Sequence, residues 1–273
     1  MKKLLPLILT LSIITVSAQV QKSKPLKKVM ELKMPKTADD DNPGTRGASV
    51  AWHPLLKKYY AAFAGNVEYP LAVFDDKGKR LSAEDQTTLM DVRGLWYNPV
   101  TRIITGNGHA DNGWFSYQLD KSGIPSDIDY VVEGMNQPDA QSVGSYDALN
   151  KQVLFLYQSR VYKYDSKGGL SDSILIHWGR KKADGPADDE DETDVPEDYN
   201  YTSLINTGVK GQEIGFLNIT NKQIELYDIK TGYLTKTLSL PETAITEQSF
   251  NFAYANGIFW LFNMELRKWV GYK

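Results

Sequence analysis

The sequence predicts an all-β fold: a single domain of five units, each a four-stranded antiparallel sheet, closed into a ring. Three observations predict it. First, one phrase occurs four times, as VFDDKG (73–78), YQLDKSG (117–123), YKYDSKGG (162–169) and LYDIKTG (226–232). Each has aromatic and aliphatic residues, then Asp, then a Lys-bearing turn closed by Gly. Second, the segments between alternate aromatic or β-branched with polar residues and are punctuated by Gly, Asn and Pro, with almost no helical period. Third, the last unit, SFNFAYANGIFWLFNMELRKWVGYK (249–273), supplies only three strands before the sequence stops. The missing strand has a counterpart in LKKVMELKMPK (26–36), which resembles TKTLSLPE (235–242), the fourth strand of the preceding unit.

Taken in order, the chain opens with MKKLLPLILTLSIITVSAQ. Lys2 and Lys3, the apolar run Leu4–Thr15 and the small residues Val16-Ser17-Ala18 predict a signal peptide over 1–18, cleaved before Gln19. The run is short for a membrane span, so no membrane association is expected after cleavage. The remaining chain, about 255 residues (273 less 18), suits one β domain spanning 19–273. The first unit reads SVAWHPLLKKYYAAFAGN (49–66) and YPLAVFDDKGKRLS (69–82), the second RGLWYNPVTRIITGNG (93–108) and GWFSYQLDKSGIPSDIDYVV (113–132). Trp52-His53-Pro54 and Tyr97-Asn98-Pro99 hold matching places 45 residues apart. The third unit covers 142–178, the fourth 201–241, and 181–198 between them is an acidic loop with no strand pattern.

Four strands per unit, repeating every forty to fifty residues, resembles the blades of the β-propeller superfamily in its broad WD40, kelch and NHL/YVTN-like forms. No WD dipeptide or kelch double-Gly signature is present, so the resemblance is one of architecture over residues 26–273 and carries no named family's function. It implies a five-bladed propeller whose N-terminal strand completes the last blade and removes the open edges of a linear array. The repeated Asp then has a structural reading: it bonds its own backbone in a turn where Gly supplies positive φ.

In such a propeller the first strands line a central channel. The loops from strand four to the next strand one, and from strand two to three, share one face. The five inter-blade loops (37–45, 83–91, 133–140, 181–198, 241–247) hold nineteen acidic residues, and their only bases are Lys181 and Lys182. The opposite turns, among them LLKK, NPVTR, LNKQ and GVKG, are mostly basic, so one acidic and one basic face are expected. Residues 184–198, with nine acids and no base, read either as a solvated loop or as an attractor of Ca²⁺. They lack the EF-hand pattern, and no resident cofactor or metal site is expected.

Polar groups recur at the channel mouth where first strands begin: Arg46, Arg93, Gln141, Asn200 and Gln248. The loop GNGHADNGW (106–114) adds Asn107, His109, Asp111 and Trp114. Guanidinium, amide, carboxylate and ring around a concavity suit a sugar or small polar ligand. The expected function is therefore an exported, monomeric binding or scaffold propeller recognising a glycan, small polar ligand or protein partner. The alternative is a carbohydrate hydrolase drawing two carboxylates from Asp41, Glu68, Asp111, Asp139 and Glu247. The chain has no Cys, no HExxH, and no GxGxxG, GxxxxGK[ST] or GxSxG motif. Net charge falls from −3 to −5 when Lys2 and Lys3 leave, which argues against non-specific nucleic-acid binding.

Overall fold

The computed structural model describes residues 25–36, 45–185 and 194–273. It holds five antiparallel sheets. Strand β1 (Lys28–Lys33) comes first in the chain and belongs to the last sheet. Blade one is β2 (Arg46–His53), β3 (Lys58–Ala64) and β4 (Leu71–Asp75). Blade two is β5 (Val92–Asn98), β6 (Ile103–Gly108), β7 (Trp114–Leu119) and β8 (Pro125–Val132). Blade three is β9 (Ser145–Asp147), β10 (Gln152–Tyr157), β11 (Arg160–Tyr164) and β12 (Leu170–Leu175). Blade four is β13 (Ile205–Asn206), β14 (Ile214–Asn218), β15 (Gln223–Tyr227) and β16 (Leu234–Ser239). Blade five is β17 (Phe252–Ala255), β18 (Ile258–Asn263) and β19 (Lys268–Tyr272), completed by β1. The first strands neighbour one another as β2, β5, β9, β13, β17 and back to β2, so the ring is closed.

Burial follows strand position. Second strands such as β3 (KYYAAFA) and β14 (IGFLN) are buried on both sides, because blades stack face to face, and they read as continuous apolar runs. Outer strands such as β8 (PSDIDYVV) are largely exposed and read as polar mixtures. Rings interlock between blades: Tyr59 of blade one meets Trp260 of blade five edge-on at 5.3 Å, and Phe63 meets Phe262 at 5.1 Å.

The closing seam forms where the sequence places it, within 26–36. Leu32 pairs with Trp269 and Glu31 with Val270. Lys27 N donates to Lys273 O at 2.9 Å, and Met34 N to Arg267 O at 2.9 Å. Lys268 Nζ donates to Glu31 Oε1 at 2.8 Å, and this bond, chiefly, holds the Glu31 carboxyl below its ordinary value.

One blade departs from the four-strand reading, and a second keeps four strands with a short first one. Blade one has three strands. Its outer segment makes one bridge, Phe74 with Arg80, and Leu81 N donates to Val73 O at 2.7 Å. Ser82 Oγ then takes the Val73 N–H at 3.1 Å and ends the ladder. In blade four, β13 has only two residues. Asn200 Oδ1 accepts from Thr202 N (3.2 Å) and Ser203 N (2.9 Å), turning the chain before it can pair. The described residues of 179–200 hold one 3-10 turn, Lys182–Asp184, and an isolated bridge between Tyr199 and Asn218.

The repeated phrase is a turn motif. Oδ1 of Asp75, Asp120 and Asp165 each accepts from the backbone N–H groups two and four residues on, at 2.8–3.0 Å. Asp228 Oδ1 accepts from the N–H groups two and three residues on, Lys230 and Thr231, at 2.7 and 3.1 Å. The closing glycines Gly78, Gly123, Gly168 and Gly232 have φ of 83°, 70°, 81° and 69°.

A second motif recurs in every blade. Lys57, Arg102, Lys151, Lys222 and Arg267 have φ of 53°, 61°, 56°, 48° and 49°. Each lies four residues after a side-chain acceptor (His53, Asn98, Asp147, Asn218, Asn263) that caps a turn N–H at 2.8–3.2 Å. In blades one to three the turn joins strands one and two; in blades four and five it joins two and three. A Cβ in this left-handed region is strained. Gly at exposed Lys57 or Lys151 is expected to raise stability by about 0.5–1 kcal/mol, read as a higher urea midpoint. A lower midpoint would mean that the basic side chains contribute more than the strain removes.

Candidate functional site

Strand direction puts the four-to-one and two-to-three loops at one end of the ring, and there the channel mouth is occupied. The Arg93 guanidinium lies over the Phe250 ring, 5.7 Å from its centre. Arg93 is on β5 and Phe250 precedes β17; both strands flank β2, so the contact reaches across the axis. Arg93 is buried and fully engaged: it pairs with Asp91, and donates to Gln141 Oε1 at 2.9 Å and Val92 O at 3.1 Å. Phe250 and Asn251 have φ of 51° and 59°, strain that neighbouring blades sustain. Phe250 N donates to Thr202 Oγ1 at 2.6 Å, its carbonyl accepts from Asn200 Nδ2 at 2.8 Å, and Gly47 N donates to Asn251 Oδ1 at 2.6 Å.

The sequence-selected residues divide into surface and interior. Arg46 is exposed at the start of β2 near Glu247, whose carboxyl is pushed up by burial while the charge of Arg46 pulls it down. Gln248 is exposed, and its carbonyl accepts from Tyr201 N at 2.9 Å. Gln141 is exposed, with its N–H on Asp139 Oδ1 at 2.8 Å. His109 is half-buried, its Nδ1 4.0 Å from Asp91 Oδ2, and Asp111 is exposed on the 3-10 turn Ala110–Asn112. Arg93, Gln141 and His109 thus gather around Asp91, and Arg46, Gln248 and Glu247 form a second group.

Asn107 and Trp114 lie inside. Asn107 is 0% exposed; Nδ2 donates to Gln137 Oε1 (2.7 Å) and Ser142 O (2.8 Å), and Oδ1 accepts from Gly144 N (3.0 Å). The fit is close: a Cβ on Gly94 would meet Gly144 O at 2.5 Å and Asn107 Oδ1 at 2.6 Å. Trp114 is 2% exposed and packs between Trp96, Phe155 and Tyr164. Both tie blade two to blade three.

Beside the mouth, between blades three and four, lies an open cleft of about 440 Å³. Asp139, Gln141 and Ser142 come from the loop before β9, Tyr157 from the end of β10 and Gln158 from the turn that follows it. Asp194, Val195, Pro196 and Glu197 form one wall; Tyr199, Tyr201, Thr202 and Gln248 complete the lining with Leu156. The Tyr157 and Tyr201 rings are exposed. The wall is anchored: Trp178 Nε1 donates to Ser159 Oγ (3.0 Å), which donates to Asp194 O (2.6 Å).

Behind the lining sits the buried carboxylate Glu225. Tyr199 and Tyr227 donate their hydroxyls to its Oε2 at 2.9 and 2.6 Å, and Asn218 Nδ2 reaches Oε1 at 3.5 Å. Burial first, then the charge of Glu225, pushes both phenols above their ordinary range, so they remain donors.

Of the carboxylates named for hydrolysis, Asp139 lines the cleft and Glu247 adjoins it, whereas Glu68 and Asp111 are exposed elsewhere and Asp41 lies outside the described residues. Sequence reasoning did not select Tyr157 or Tyr201, and it read Asp194 and Glu197 only as part of 184–198, a solvated loop or an attractor of Ca²⁺. Among the described residues no group of three or more His, Asp or Glu could hold a metal ion, and 186–193 of the acidic loop lie outside them.

No protein-family model matches the sequence, and no curated protein does. Solved structures do. Myxococcus xanthus glutaminyl cyclase is similar with a TM-score of 0.52 at 8% identity, over 91% of this chain and 95% of that one. A chain of the nidogen/laminin complex matches with a TM-score of 0.41 at 11% identity, over 73% of this chain and 65% of that one. At such identity the likeness concerns fold alone: the chain is a five-bladed β-propeller.

Proposed function

We propose that this propeller is an exported binding module that takes a glycan into the cleft between blades three and four and performs no chemistry on it. The carrying observation is the lining: exposed Tyr157 and Tyr201 rings beside Asp139, Asp194, Glu197, Gln141, Gln158 and Gln248. Flat rings cover the apolar face of a pyranose, while carboxylates and amides accept from and donate to its hydroxyls. A concave, largely pre-formed cleft favours a short saccharide over a flat protein partner. The test is thermal unfolding of the chain from Gln19 onward with a panel of saccharides. A saccharide at a hundred times its Kd adds about 2.7 kcal/mol, and the midpoint rises. Tyr201→Ala is expected to remove that rise; no rise with any saccharide would refute the reading.

A second reading, a carbohydrate hydrolase, is favoured by Asp139, Asp194 and Glu197 sharing one cleft. It requires two carboxyl groups about 5–10 Å apart across the bound sugar. Release of reducing ends from the stabilising saccharide, lost in Asp139→Asn or Glu197→Gln, would establish it in place of simple binding.

A further inference from the structure

We propose that the face opposite the cleft docks on an anionic lipid surface. Antiparallel strands put the one-to-two and three-to-four turns at that end. Three one-to-two turns carry an aliphatic residue at the same position, two residues after the capping acceptor: Leu55, Val100 and Leu149, exposed by 64%, 65% and 68%. The turn of blade four adds Val209, exposed by 49%. Each is followed by a base within two residues: Lys57, Arg102, Lys151 and Lys210.

The three-to-four turns of the same face contribute Lys77, Lys121, Lys167 and Lys230. Asp75, Asp120, Asp165 and Asp228 each bond their own turn's N–H groups, and Asp120 and Asp165 remain exposed, while the buried Glu213 accepts from Gly211 N at 2.8 Å and Ile229 N at 3.2 Å. Lys and Arg still outnumber Asp and Glu on these turns: Lys57, Lys77, Lys79, Arg102, Lys121, Lys151, Lys167, Lys210 and Lys230 against Asp75, Asp76, Asp120, Asp147, Asp165, Glu213 and Asp228.

A protein interface places its apolar residues in one contiguous centre. Here the tips stand apart on four different blades, Leu55 together with its exposed neighbour Leu56, each beside a base, which suits a deformable surface that accepts each tip separately. Aliphatic side chains enter the acyl boundary, and Lys or Arg heads remain at the phosphates. The described chain also enters on this face, where Lys27 meets Lys273 at the seam. Docking this way leaves the cleft facing away from the lipid. It revises the expectation of no membrane association after signal cleavage.

The test is flotation of the chain starting at Gln19 with vesicles of phosphatidylcholine alone or with about 30 mol % phosphatidylglycerol. Flotation is expected with the anionic vesicles, to fall as salt rises, and to be absent with the neutral ones. Leu55→Ser/Val100→Ser/Leu149→Ser, with its unfolding midpoint retained, is expected to weaken partition at least about tenfold. Tyr201→Ala should float as the parent does, which separates this proposal from the cleft reading. No flotation with anionic vesicles at low salt would overturn it. So would equal flotation of the triple variant, or capture by soluble polyglutamate in preference to vesicles.

Discussion

A chain that begins at residue 37 is expected not to fold, whereas one that begins at Gln19 folds. The difference is β1. Leu32 and Met34 are buried with Trp260, Trp269 and Phe63 in the core between blades five and one. Burying two such side chains is worth about 2 kcal/mol each, before the hydrogen bonds to β19 are counted. Loss of the strand therefore removes on the order of 5 kcal/mol from a domain whose total is about 5–15 kcal/mol. It also leaves β19, with Trp269 and Val270, as an open apolar edge that invites aggregation. Soluble yield and far-ultraviolet circular dichroism of the two chains provide the check. A synthetic peptide of residues 25–36 should restore folding in trans. A shorter chain that melts cooperatively at the parent's temperature would remove the seam from the account.

Asn107→Leu is expected to lower stability by about 3 kcal/mol or more, with no ligand present. It strips partners from Gly144 N–H, the Ser142 carbonyl and the Gln137 amide, all in the interior. Each buried polar group left unpaired costs about 1–3 kcal/mol. For a domain of this size the melting temperature should fall by about 10 °C. Asn200→Leu should behave alike, since its amide ties Thr202 and Ser203 of blade four to Glu247 and Phe250 before blade five. A variant with an unchanged melt and weaker saccharide binding would instead return Asn107 to the ligand-contact role that its loop suggests.

The contrast between these two predictions shows what the sequence conveys. The closing strand was legible because strand chemistry is local: LKKVMELKMPK alternates as TKTLSLPE does, and a ring needs its missing edge filled. The Asp-Gly turns were legible for the same reason, each Asp bonding backbone within four residues. Asn107 and Trp114 were not, because GNGHADNGW reads as an exposed polar loop until Gln137, Ser142, Phe155 and Tyr164 of the neighbouring chain segments cover it. The cleft was hidden for a related reason. Tyr157 and Tyr201 belong to different blades, and in a chain with sixteen tyrosines neither stands out from strand tyrosines. The three-strand sheet of blade one depends on one hydroxyl, Ser82 Oγ, capturing an N–H that the ladder would otherwise use.

The central claim is that the cleft between blades three and four is where this protein meets its ligand. The most direct test is calorimetric titration of the stabilising saccharide into three proteins: the parent, Tyr157→Ala/Tyr201→Ala, and Asp111→Asn, whose site is exposed away from the cleft. Binding to the parent and to Asp111→Asn with similar affinity is expected, with loss of the heat signal in the double tyrosine variant. Undiminished binding by the double variant, or loss of binding in Asp111→Asn, would place the ligand elsewhere and contradict it.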